Sequence, residues 1–418
     1  MNLSRFNFLC RTKTGFGKHA LYHLPFDLTG MGSQKPFVLQ SRDAERSGST
    51  QPLIRAFRES GMTLGICTAP DRKSDKKSGE HPDGGFDMEM LKACYQTFID
   101  KGFDSIIALG GSSLVDAAKA LNMAVSSGPG ILKEPAIGQP ASEPLMPFVY
   151  IPTGTGAGWE TDCTARFNGR LFDRADLAPD IALIDPVVFA EQDLAQVIDS
   201  ALTSLAVCCE TFVLSGNPPA AAYAEAGIRL IRSSLFALLD RSGYPGTPTV
   251  LPQKEVEPHL AGLAHASVIT GTLLANCRPL TSLDLGCAVA DTHTVPPGQA
   301  MMMILPQVLE VLSSDPRGLG ALLLPLSGQD EFSATPVHQR SDTALHHLRA
   351  VLNKLYRLSS GTTIRIPGDM GMDSIELDHP ATHMDEKSIG DNHRSGPGPD
   401  QIKAILLRTV GNPAVNRE

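Results

Sequence analysis

At 418 residues the chain is longer than one compact core usually organises, and 42% hydrophobic with 19% charged residues excludes a fibre or a disordered chain, which leaves a globular protein of two or three domains. Thirty-six basic against 45 acidic residues leave a net charge of −9, and the longest basic block is the short RKSDKK near residue 72, so nucleic acid is not an expected partner. The eight cysteines form no C-x-x-C pair and no His/Cys cluster of zinc spacing. No unbroken apolar run reaches the ~18 residues of a spanning helix, and the opening MNLSRFNFLCRTKTG lacks the pattern of a secretory leader; a cytoplasmic protein with reduced thiols and no membrane partner is expected.

From residue 36 short apolar runs alternate with longer segments of helical period. PFVLQS reads as a strand, TQPLIRAFRESG as a helix, MTLGICT as a strand, MEMLKACYQTFIDKG as a helix and DSIIALGG as a strand. Strands separated by helices of that length predict a parallel α/β sheet. Between them residues 70–86, PDRKSDKKSGEHPDGGF, are polar and glycine-rich and predict a solvated loop. After DIALIDP (180–186) strand-like runs become rare, and LTSLAVCCETFVL, AAAYAEAGIRLIRSSLFALLD and LAGLAHASVITGTLLANC predict a helical second half. The boundary falls near Phe189, giving an α/β domain over 1–188 and an all-helical domain over 189–418. Residues 358–400 are rich in Gly and Pro and predict loops before a last helix, DQIKAILLRTV.

Two glycine-rich turns carry the chemistry of the first half. FDSIIALGGSSLVDAAKALN is a strand, a Gly-Gly turn and a helix; small residues there let backbone amides at the helix N-terminus approach a phosphate, whose charge the helix dipole favours. FVYIPTGTGAGWETD repeats the arrangement, with hydroxyls interleaved among glycines. A plain tight turn with a Ser cap explains either loop alone. Two such loops at the carboxyl ends of neighbouring strands point to a nucleotide, because ligands of open α/β sheets sit there.

These motifs resemble those of the iron-containing (group III) alcohol dehydrogenases: GGSSLVDAAKALN is similar to the family's GGGSxxDxxKA, IPTGTGAGWETD to IPTTAGTGSEVT, DIALIDP to PxxAxxDP, and CCETFVLSGNP to EAYxSxxxNP. The resemblance implies the dehydroquinate synthase-like fold, a Rossmann-like parallel-sheet domain followed by an all-helical domain, acting as a homodimer. It implies NAD(P) on the two loops, with Gly110, Gly111, Ser112, Asp116, Thr153, Gly154 and Gly156 lining it. Trp159 stands where the family has Ser, against the nicotinamide or crowding it. The first of the strands read above ends at Ser41, followed by Arg42, where NAD-preferring members carry an Asp. A hydroxyl and a guanidinium suit a 2′-phosphate, so NADP is expected over NAD, with Asp43 a rival for the acidic role.

The metal half of the resemblance is broken. Members hold a divalent ion with Asp and His four apart in DALxHAxE and with two later His, the second in PHG; i and i+4 share a helix face. Aligned on Glu210, the four positions carry Thr203, Val207, Leu283 and Pro297. Val, Leu and Pro cannot coordinate a cation, so no metal is expected. Cys208 and Cys209 then read as packing beside Glu210. Substitute ligands are conceivable from Asp199, Cys287, Asp291 and His293, or at His379 and His383, where Pro380 interrupts any helix.

The expected activity is interconversion of an alcohol and an aldehyde or ketone with NAD(P) and no metal. Hydrogen-bond donors must then serve the carbonyl, for which Thr203, protonated Asp291 and His293 are the candidates. The alternative is a cofactor-binding homologue without catalysis, acting as a subunit, sensor or scaffold.

Overall fold

Ile, Val, Leu and Ala fill the central strand runs almost without interruption, the signature of a sheet buried on both faces. In the computed structural model, which describes residues 6–69, 88–130, 143–167, 170–189, 194–241, 253–278, 280–292, 295–358 and 397–410, the chain divides into two compact units. Cys10–Asp193 form one; Leu194–Glu418 with Met1–Leu9 form the other.

The first unit is built on six parallel strands, β1 (Lys13–Phe16), β2 (Pro36–Gln40), β3 (Gly65–Thr68), β4 (Ser105–Gly110), β5 (Phe148–Pro152) and β8 (Ile181–Ile184), in the order β1-β8-β5-β4-β2-β3. A separate antiparallel pair, β6 (Thr164–Phe167) and β7 (Arg170–Asp173), precedes β8. The period of two sorts the side chains. Ile106 and Ala108 of β4 face a core shared with α4 (Met88–Lys101) and α5 (Ser112–Ser127), while Ile107 and Leu109 face α1 (Leu24–Gly30) and α3 (Thr50–Phe57). Each fully buried Ile or Leu contributes about 1.5–3 kcal/mol. That is why these runs lack the alternation of a half-exposed strand.

The expected Rossmann-like parallel sheet is present, with two additions. Strand β1 lies ahead of the PFVLQS run and pairs with β8, and β6 and β7 are too short and mixed in sequence to announce themselves. The loop read at 70–86 lies outside the described residues.

Chain direction across the sheet reverses between β2 and β4: β3 lies on the far side of β2, whereas β5 and β8 follow on the far side of β4. Such a switch point opens a crevice at the carboxyl ends of its strands. Gln40 pairs in register with Leu109 and Gly110 with Pro152, so the ends of β2, β4 and β5 are level.

The second unit is helical: α6 (Leu194–Leu214), α7 (Pro218–Arg241), α8 (Gln253–Cys277), α9 (Thr281–Thr292), α10 (Pro297–Leu312), three short helices, α14 (Arg340–Leu358) and a last helix Pro399–Val410. Its core gathers around α6 and α10, whose middle turns are fully buried. On length and composition α6 and the Glu257–Cys277 part of α8 could cross a membrane, although neither is an unbroken apolar run; 67% and 56% of their most apolar 18-residue stretches are buried inside the protein, as in core helices. The opening residues belong here and not with the α/β unit as expected. The Asn276 amide brackets Leu9, accepting from its N–H at 2.6 Å and donating to its carbonyl at 2.9 Å, and Phe8 packs on Tyr223.

Candidate functional site

At the end of β4 two glycines serve different ends. A Cβ on Gly110 would lie 2.6 Å from Leu114 and 3.0 Å from the Ser41 hydroxyl, so packing excludes a side chain there. Gly111 is the N-cap of α5 with φ −92°, a conformation open to any residue, and no side chain caps the helix among the described residues. A Cβ on Gly111 would meet nothing within 4 Å. Gly111 and Ser112 are exposed; the Leu114 N–H turns back to the Gly111 carbonyl at 3.2 Å, which leaves the Ser112 and Ser113 amides at the positive end of the helix dipole.

The second loop lies beside the first. The Gly110 carbonyl accepts from the buried Tyr150 hydroxyl at 3.1 Å and from the Thr153 N–H at 3.3 Å. Thr153, Gly154 and Gly156 are half-buried along the loop, and Gly156 (φ 56°) and Gly158 (φ 108°) occupy left-handed conformations that side chains disfavour. Gly158 then closes a turn, its carbonyl accepting from Thr161 and Asp162 N–H. Trp159 is half-buried against the core of α4 and α5.

Asp116, expected to line the cofactor, is buried. It is 7% exposed, and burial pushes its carboxyl up to about 7 against the opposing charge of Lys119. Lys119, one turn on, is buried, and its ammonium donates to the carbonyls of Asp162 (2.8 Å) and Thr164 (2.7 Å). The Asp-x-x-Lys spacing therefore braces the strand leaving the second loop from behind. A lysine in the apolar run DAAKALN was the sequence signal for it.

Ser41 stands at the switch point with its hydroxyl capping α2 (Arg42–Arg46), accepting from the Ala44 N–H at 3.1 Å. Its own N–H donates to the Leu109 carbonyl at 3.0 Å. Arg42 pairs with Glu45 at 3.7 Å, and Asp43 is exposed.

In the helical unit the four family ligand positions do not form a donor set. Val207 is fully buried in the apolar core, Leu283 packs against that core, and Pro297 is exposed as the first residue of α10, where its fixed φ suits a helix start. Thr203 is half-buried on α6. Three of the four side chains have no lone pair to offer, so the residues do not fit a family-type iron site. Among the described residues no three His, Cys, Asp or Glu side chains gather as a metal would require. The side chain of Asp291, in the last turn of α9, and His293, His379 and His383 lie outside the described residues.

The acids near these positions have structural partners. Glu210, fully buried on α6, accepts from the N–H groups of Thr281 (2.7 Å) and Ser282 (2.8 Å) and from the Ser282 hydroxyl, so it caps α9. Burial pushes it up to about 7 despite those donors. Asp199 does the same for α10, accepting from the Gln299 N–H at 3.2 Å, with burial pushing it up to about 6. A Cβ on Gly298 would fall 2.1 Å from the Asp199 carbonyl and 2.9 Å from the Thr203 hydroxyl, so this glycine is fixed by helix packing. Cys208 lies against Gly227 of α7 and Thr270 of α8, and burial pushes its thiol up to about 12; Cys209 is equally buried and raised. Neither supplies a ready thiolate. Cys287 is half-buried against the same core.

The sequence model of the iron-containing alcohol dehydrogenases matches residues 11–186, nearly the whole α/β unit and both glycine loops. That match covers somewhat less than half of the chain. Among curated relatives, the NAD-dependent methanol dehydrogenase of Bacillus methanolicus is 22% identical over 55% of this chain and 58% of its own length. The probable alcohol dehydrogenase EutG of Escherichia coli (strain K12) is 26% identical over 67% and 66%. The matches thus span less than two thirds of these relatives. Solved structures share the fold throughout: the alcohol dehydrogenase from Oenococcus oeni (17% identical, TM-score 0.76, covering 96% of this chain and 100% of that one), 1,3-propanediol oxidoreductase (16%, 0.75, 97% and 100%) and the sulfoacetaldehyde reductase from Bifidobacterium kashiwanohense, solved with NAD+ (16%, 0.71, 98% and 100%).

Proposed function

We propose that this protein is an oxidoreductase that interconverts an alcohol and an aldehyde or ketone with a nicotinamide dinucleotide and without a resident metal. The observation that carries the reading is the open, uncapped N-terminus of α5 at Gly111, tied through the Gly110 carbonyl to the Thr153–Gly158 loop at the switch point of the sheet. Amides of the α5 first turn would hold the cofactor's phosphates, with Thr153, Gly154 and Gly156 along the second loop. Ser41 and Arg42, at the end of β2, would receive the adenosine ribose and favour NADP, the phosphate competing with Glu45 for the guanidinium. Named relatives that use or bind NAD support the nicotinamide class.

Hydride transfer is the chemistry a bound nicotinamide supplies; the chain must orient it and move a proton. With Val207, Leu283 and Pro297 at the ligand positions, a hydrogen-bond donor has to take the carbonyl oxygen, the role given to Thr203, Asp291 and His293. The protein is further read as a cytoplasmic homodimer whose partners are small alcohols and carbonyls, not nucleic acid or membrane.

A second reading, a cofactor-binding homologue without catalysis that serves as a subunit, sensor or scaffold, is favoured by one observation: Val207 is part of a packed core and not of an open polar pocket. Oxidation of NADH and NADPH by the purified protein, with chelator present and across a panel of aldehydes and ketones, separates the two. Turnover supports the enzyme, and binding of either nucleotide with no turnover of any carbonyl supports the scaffold.

A further inference from the structure

Away from the glycine loops, the α/β unit holds two thiols in contact. Cys67 is on β3, the edge strand of the sheet, and is half-buried; Cys94 is on α4 and fully buried; both are free, with their sulfurs 3.3 Å apart. A disulfide bond is about 2.05 Å long, so closing this pair needs roughly 1.3 Å of approach, a small movement for a side chain at a sheet edge. We infer that Cys67 and Cys94 are a redox-active pair in which a peroxide oxidises Cys67 and Cys94 resolves it to an intramolecular disulfide.

The roles follow from position. Cys67 is the less buried of the two, and in the hydrogen bond they share either thiol can donate; with Cys94 as donor, that bond lowers Cys67 below an ordinary thiol, while the same bond and burial raise Cys94 far above one. Charge therefore collects on the accessible sulfur and the proton on the hidden one. A partly accessible thiolate beside a resolving thiol is the arrangement that peroxide chemistry exploits.

In the first step the Cys67 thiolate attacks one peroxide oxygen, the O–O bond breaks, Cys67 becomes a sulfenic acid and the departing hydroxide leaves as water with a solvent proton. In the second, the Cys94 sulfur attacks the Cys67 sulfur, the S–O bond breaks, and the hydroxide takes the Cys94 proton and leaves as water. Two thiols and one hydrogen peroxide thus give one disulfide and two waters, with two electrons passing from the sulfurs to the peroxide. A small dithiol reverses the step by exchange.

The test uses the full-length protein, reduced, freed of reductant and treated with one equivalent of hydrogen peroxide, then blocked with an alkylating agent and mapped by non-reducing peptide mass spectrometry. A peptide joining Cys67 to Cys94, lighter by two hydrogens, forms before the exposed Cys10 is oxidised and disappears with dithiothreitol. Cys94→Ser leaves Cys67 as a sulfenic acid that dimedone traps, whereas Cys67→Ser leaves Cys94 unmodified, both with the circular dichroism of the wild type. The inference is overturned if Cys67 and Cys94 both stay alkylatable in the wild type while Cys10 reacts, or if dimedone finds no Cys67 adduct in folded Cys94→Ser.

Discussion

Replacing Gly111 by Val separates a phosphate cradle from a plain turn. At φ −92° the backbone accepts Val without strain, and its Cβ enters space where nothing lies within 4 Å, so neither overpacking nor a lost contact is expected. The fold should lose only the preference of an N-cap for glycine over a β-branched residue, about 1 kcal/mol or less, which lowers Tm by roughly 2–4 °C in a unit of this size. Binding should suffer far more. A side chain over the α5 amides keeps a pyrophosphate from at least two charge-assisted hydrogen bonds of about 1.5–3 kcal/mol each, a loss of about 3–6 kcal/mol, or roughly a hundredfold to ten-thousandfold in Kd. Gly110→Ala is the control of opposite kind, since its Cβ would fall 2.6 Å from Leu114 and 3.0 Å from Ser41, and it should destabilise the unit by about 1–3 kcal/mol. Calorimetric titration with NADH and NADPH, paired with thermal unfolding, reads both effects. Unchanged affinity in Gly111→Val with normal circular dichroism would refute the cradle and leave the loop a turn.

Elemental analysis of the purified protein should find no stoichiometric iron or zinc; about one metal per chain, lost in Asp199→Ala or His293→Ala, would reveal a substitute site. Ser41→Asp should lower NADPH affinity by about 1–3 kcal/mol and NADH affinity much less, because Asp retains the cap on α2 but repels a phosphate; wild-type protein that binds NADH as tightly as NADPH would sink the preference. Asp116, Glu210 and Asp199 all bind their protons more tightly folded than unfolded, so the stability they contribute is complete below their ordinary range near pH 4 and is lost as pH rises through about 6 to 7. The urea midpoint should therefore be higher at pH 5.5 than at pH 8, less steeply in Glu210→Gln, and a higher midpoint at pH 8 would contradict the assignment.

The parallel sheet and both glycine loops could be read in advance because buried strands and helix-opening turns depend on neighbours along the chain. Gly110 and Gly111 looked equivalent in the sequence; only the approach of Ser41 and Leu114 tells the packed glycine from the open one. Asp116 was assigned to the cofactor because it shares a helix with the loop, yet it is buried on α5, the helix that packs against β6, a strand almost fifty residues later. Cys208 and Cys209 were read as packing beside Glu210, but nothing nearby in the chain named the partners of Glu210, the amides of a helix about seventy residues on. What stayed hidden is long-range partnership; what was legible is local pattern.

Glu210 and Asp199 have a consequence for the history and the engineering of this fold. Both sit on α6 and each grips the start of another helix, α9 or α10, so these three segments are riveted by carboxylate-to-amide bonds that require no ion. Coordination chemistry can then drift away without the architecture loosening, and it can equally be refitted. Glu210→Ala should therefore lower the urea midpoint by loosening α9, with or without metal in the buffer.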